Sequence, residues 1–128
     1  MGLTPEVAAA IHEIAGAYPN ATVTPKEDGE GGALVIVDTV NLGPPYQQAD
    51  SWVGFHITHL YPQADIYPHH VRRDLARLDN QALGSATSPS TFLGRDSTQL
   101  SRRGNRWDAT RDTALLKLQR VLVWLLAK

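Results

Sequence analysis

The chain has 128 residues, 42% of them apolar, with 12 Lys+Arg set against 13 Asp+Glu. That length suits a single domain, 1–128, with apolar mass enough for a core, and the balanced charge supplies no basic field to draw the chain onto nucleic acid or an anionic membrane. There is no cysteine, which excludes disulfides, thiolate zinc sites and thioester chemistry carried by this chain and favours a reducing, cytoplasmic setting.

The N-terminus has no basic patch followed by an apolar run, so no signal peptide is expected. Thr4-Pro5-Glu6 predicts a helix start. Thr4 accepts from an orphan N–H, Pro5 fits the first helical position, and Glu6 suits the positive end of the dipole. Leu3, Val7, Ile11, Ile14 and Tyr18 repeat at helical spacing until Pro19-Asn20 stops them, with His12 on the solvent side. Ala21 to Lys26 predicts a strand and Asp28-Gly29-Glu30-Gly31-Gly32 a hairpin turn.

Ala33 to Val40 is β-branched and continuously apolar, the pattern of a strand covered on both sides. Asn41-Leu42-Gly43-Pro44-Pro45 breaks it, and neither glycine-rich turn has the spacing of a phosphate-cradling loop. Trp52 to Leu60 predicts a further strand, with Val53, Phe55, Ile57 and His59 on one side and Trp52, His56, Thr58 and Leu60 on the other.

Tyr61-Pro62 and Tyr67-Pro68 then punctuate an extended segment that runs to His69-His70-Val71, an edge strand or a loop wrapped on the sheet. Residues Asn80 to Thr98 are rich in Ser, Thr, Gly and Ala and predict a long surface loop. A second helix is expected from Asp108. Leu115, Leu118, Leu122 and Leu125 mark one face, and Leu116, Val121, Val123, Trp124 and Leu126 widen it. Such a helix is nearly enclosed, or lends its outer apolar strip to a partner or to an oligomer. The expected class is α+β: an N-terminal helix, an antiparallel meander of about three or four strands, a Tyr-Pro extended segment with a long loop, and a C-terminal helix.

That order, with Leu60-Tyr61-Pro62, Tyr67-Pro68, a long loop and Trp107-Asp108 opening an apolar helix, resembles the ubiquitin-conjugating (UBC) superfamily over roughly residues 3 to 126. The stretch Ser101-Arg102-Arg103…Asn105-Arg106-Trp107 is similar to bacterial UBC-like proteins encoded beside activating-type and JAB-type peptidase proteins. Counting back from Trp107 to the place where the family carries its cysteine lands on Gln99, and no His-Pro-Asn precedes it. An amide is no nucleophile near neutral pH. The resemblance therefore implies a bacterial variant without catalytic residues, a pseudoenzyme. It would act as a binding or adaptor protein of a ubiquitin-like conjugation system, of the kind found in antiphage defence. Its partners would be a ubiquitin-like, an activating-type or a conjugating-type protein, met through Tyr61, Arg102, Arg103, Arg106 and Trp107.

The alternative is an enzyme or metal-binding protein on the same scaffold. His59 with His69 or His70, plus Asp65 or Asp74, would supply the imidazoles and carboxylate that suit zinc. The plainer reading leaves His59 hydrogen-bonded at the core rim and His69 and His70 exposed. Arg95, Arg102, Arg103, Arg106 and Arg111 form a basic cluster that suits an acidic partner or a C-terminal carboxylate, or else pairs with Asp96, Asp108 and Asp112. No GxSxG frames a serine nucleophile. Trp52, Trp107 and Trp124 read as core anchors, Trp124 alternatively as part of a binding surface.

Overall fold

The computed structural model describes residues 2–101 and 107–127. Helix α1 spans Pro5–Ala17, and the Thr4 hydroxyl accepts from the Val7 amide at 3.2 Å as its cap. Six strands follow: β1 (Thr22–Glu27), β2 (Ala33–Asn41), β3 (Asp50–Ile57), β4 (His69–Arg72), β5 (Thr87–Phe92) and β6 (Arg95–Leu100). Helix α2, Ala114–Leu126, closes the chain.

The strands form one antiparallel sheet in the order β1-β2-β3-β4-β6-β5. Alternation sends Val35 and Val37 of β2, Val53, Phe55 and Ile57 of β3, Val71 of β4 and Leu100 of β6 to one face. There they join Val7, Ala10 and Ile14 of α1 and Leu118, Val121 and Leu125 of α2 in a single core. Both helices therefore cover the same face, because each has one apolar stripe to bury.

The β1–β2 turn is held by Asp28, whose carboxylate accepts from the amides of Glu30 (2.7 Å) and Gly32 (3.0 Å) and meets the His56 ring at 2.7 Å. Gly32 is required by space: a Cβ there would lie 2.4 Å from the Ile57 carbonyl.

Two expectations are corrected. The stretch read as a long loop contains the β5–β6 hairpin, so the sheet has six strands rather than three or four. Its strands are Ser- and Thr-rich, and the turn between them places Leu93 and Gly94 at φ +48° and +79°. Glycine suits that region and leucine rarely enters it, so the turn carries only half of its usual sequence signal. The second helix starts at Ala114, not at Asp108. The Asp108 carboxylate accepts from the amide and hydroxyl of Thr110, and the Asp108 amide donates to Asp112, which forms a turn before the true cap. That cap is Thr113, accepting from the Leu116 amide.

Candidate functional site

The second face of the sheet carries neither of the two described helices. Trp52 lies here rather than in the core. Its ring stacks with Phe92 (centroids 6.4 Å apart), and Phe92 also meets His70 at 4.9 Å. Phe92 reaches this position because Gly54 has no side chain: a Cβ there would stand 2.6 Å from the phenyl ring. The Arg95 guanidinium sits 5.1 Å above Trp52 and 3.9 Å from the Asp38 carboxylate, a cation–π contact joined to a loose ion pair.

Beside Trp52 opens a cleft of about 480 Å³ lined by Asp38, Thr39, Asp50, Ser51, Arg72, Arg73, Asp74 and Asp96. Asp38 and Thr39 enter its lining where the pairing of β2 with β3 slips between Val37 and Val40. Arg72 is fixed in the wall by a two-pronged bond to Asp74, at 2.5 and 2.9 Å, and by the Asp50 carbonyl at 3.1 Å. That pairing holds the Asp74 carboxyl below the usual carboxylate range and raises the guanidinium of Arg72. The lining thus mixes charge with one aromatic wall, a chemistry suited to recognition.

The only serine–histidine pair on this face among the described residues joins His70 Nδ1 to Ser97 Oγ at 2.9 Å. Ser97 is fully buried beneath it, burial lowers the basicity of His70, and no described carboxylate orients the ring. A nucleophile needs access and an oriented base, and this pair has neither.

A second polar group lies on the helix face, where the segment between β3 and β4 meets α2. Tyr61 is buried, and its hydroxyl accepts from the Ala114 amide at 3.1 Å. Burial raises the phenol, and the Ala114 bond partly offsets this. Trp107 is half-buried, packs against Tyr61 at 6.4 Å and donates from its indole to the Pro62 carbonyl at 2.7 Å. Lys117 is buried and reaches Asp65 at 2.9 Å. His69 is fully buried against Phe55, and neither of its ring nitrogens has a hydrogen-bond partner among the described residues. Burial, then the charges of Lys117 and His70, lower its pKa to about 3.

Of the residues singled out from the sequence, Tyr61 and Trp107 come together, as an interior contact. His59, His69 and His70 do not converge. His59 is exposed beyond β3, next to Gly31, while His69 and His70 point to opposite faces of β4. Both of the latter are buried, which corrects the expectation that they are exposed. No group of three His, Asp or Glu side chains suited to a metal occurs among the described residues. Gln99 lies inside β6, opposite His70 on one side and Ser88 on the other, and its amide donates to Ser101 Oγ at 3.1 Å. Arg102, Arg103 and Arg106 lie outside the described residues. Arg95 engages Trp52 and Asp38 rather than Asp96, and Asp108 and Asp112 pair with Arg111 and Arg120.

Sequence reasoning missed the Phe92–Gly54 contact, which a lone glycine in a strand pattern signals, and Lys117, a cation set within an apolar helical run. No described helix is long and apolar enough to cross a membrane. No protein-family model, curated protein or solved structure matches the chain.

Proposed function

We propose that this chain is a non-catalytic, UBC-like binding or adaptor protein of a bacterial ubiquitin-like conjugation system, with a ubiquitin-like, activating-type or conjugating-type protein as its partner. The element order supports the resemblance. A helix leads into an antiparallel meander, two Tyr-Pro pairs separate β3 from β4, and a tryptophan precedes the last helix. The β5–β6 hairpin departs from the expected loop.

The observation that carries the non-catalytic reading is the setting of Gln99. At the position that counting back from Trp107 assigns to the family's thiol, this chain has an amide bonded to Ser101 and held in a strand paired on both edges. Neither the residue type nor its placement serves acyl transfer. Recognition is left to the surface. The cleft beside Trp52 and the outer strip of α2, with Leu116, Val123 and Leu126 exposed, are two described faces whose chemistry suits a protein partner. The alternative enzyme built on His59, His69 and His70 lacks a converging set among the described residues.

Incubation with an activating-type protein, a conjugating-type protein, ATP and a ubiquitin-like protein tests this. The expected outcome is co-elution on size exclusion with no covalent adduct on a non-reducing gel. A covalent adduct, or elution apart from all three partner types, overturns the reading.

A further inference from the structure

Two bonds pin the N-terminal end of α2 to the segment between β3 and β4, Ala114 N–H to Tyr61 Oη and Lys117 Nζ to Asp65 Oδ2, and a third, Trp107 Nε1–H to Pro62 O, holds the stretch that precedes the helix. The opposite end of α2 is held separately, by the Tyr46 hydroxyl donating to the Leu125 carbonyl at 2.6 Å. His69 lies beneath the first of these two attachments, on the inner face of β4, packed against Phe55 and paired across the sheet with Leu100. The charged and titratable groups acting on it are Lys117 from α2 and His70 beside it on β4, with Asp65 of the connecting segment held by Lys117.

Full burial of the His69 ring favours the neutral imidazole over the charged form. A neutral ring without partners already loses hydrogen bonding on burial. An imidazolium would add a second buried cation beside Lys117, whose described carboxylate partner is Asp65. The repulsion falls on the first turn of α2, where Lys117 is fixed, and not on the Tyr46–Leu125 end.

We propose that His69, Lys117 and Asp65 form an acid-released latch for the N-terminal half of α2: protonation of His69 undocks the first turn of the helix while the sheet stays folded. The sign follows from linkage. The closed state holds the ring far below its ordinary value of 6.5, at about 3, and the open state returns it to water. Closure is therefore fully favoured above about pH 6.5 and loses about a factor of ten per pH unit below it, as one proton is taken up on opening. The latch is independent of the binding role proposed above, and its test involves no partner.

Amide hydrogen exchange of the intact protein reads this directly. Protection of the Leu116 and Lys117 amides, both bonded to Thr113, is expected to fall about tenfold per pH unit between pH 6 and pH 4.5. The Val35 and Val37 amides of β2 should remain at least about tenfold better protected at pH 4.5. In His69→Gln, a neutral side chain of similar reach, the α2 slope should vanish. A slope that persists in His69→Gln overturns the latch. So does equal protection of α2 and β2 at every pH, which would assign the effect to global unfolding. If His69→Gln does not fold, the His69 ring resonances of the unaltered protein decide: they should not titrate between pH 7 and pH 5 while the sheet is intact, and titration near 6.5 overturns the proposal.

Discussion

The phenol of Tyr61 accepts the amide proton of Ala114 at 3.1 Å inside the core. Ala114 is the first residue of α2, and the first N–H groups of a helix have no partner within it. Thr113 satisfies Leu116, and Tyr61, from a segment far back in the chain, satisfies Ala114. Tyr61→Phe keeps the ring and leaves that amide buried without an acceptor. The expected loss is about 1–3 kcal/mol, seen as a lower urea midpoint at unchanged slope. An unchanged midpoint would mean that water replaces the phenol.

Gly54 lies in β3 opposite Ile36 of β2 and His70 of β4, with the Phe92 ring against it. Gly54→Ala drives a methyl into the space of the Phe92 ring, and overpacking of this kind costs about 1–3 kcal/mol. Displacement of Phe92 also uncovers Trp52, so the tryptophan emission of the variant should shift to the red. An emission spectrum like that of the unaltered protein would show that the ring does not rest on Gly54.

The buried Lys117–Asp65 pair should behave as a coupled unit. Lys117→Met leaves the Asp65 carboxylate without its 2.9 Å ammonium partner and is expected to destabilise. Adding Asp65→Asn should recover part of that loss, with a coupling of about 1–3 kcal/mol in a double-mutant cycle by denaturant unfolding. Additive losses would show that the two groups do not act on each other.

Asp28 sets a pH dependence of its own. Its bond with His56 and those with the Glu30 and Gly32 amides hold the carboxyl below its usual value of 3.8. A depressed carboxyl contributes stability that is fully present above the unfolded value and is lost as pH falls through the folded one. The Glu30 and Gly32 amide resonances should therefore keep their positions down to about pH 4 and move together below it. Movement complete before the pH falls to about 4 would show that the Asp28 carboxyl does not control the turn.

The parts legible in the sequence were those where local chemistry and burial agree. Thr4-Pro5 marks the start of α1, Val35 and Val37 face the core, and Asp28 to Gly32 turn the chain between β1 and β2, as the residue types require. The β5–β6 hairpin was hidden because Ser88, Ser90 and Ser97 carry little apolar signal and β5 is an edge strand whose pairing is supplied by β6. The start of α2 was displaced because Asp108 offers a cap to a turn rather than to the helix. His69 and Lys117 were not legible as a pair. They lie 48 positions apart in chain numbering, and only the closing of α2 over β4 brings them together. Gln99 was located by counting from Trp107, and its setting in a doubly paired strand depends on the hairpin that the sequence concealed.

Titration calorimetry of the purified chain against a ubiquitin-like protein, an activating-type protein and a conjugating-type protein bears most directly on the adaptor role. Saturable heat is expected with at least one of the three, at a dissociation constant in about the micromolar range, and unchanged in Gln99→Ala. Absence of heat with all three contradicts it.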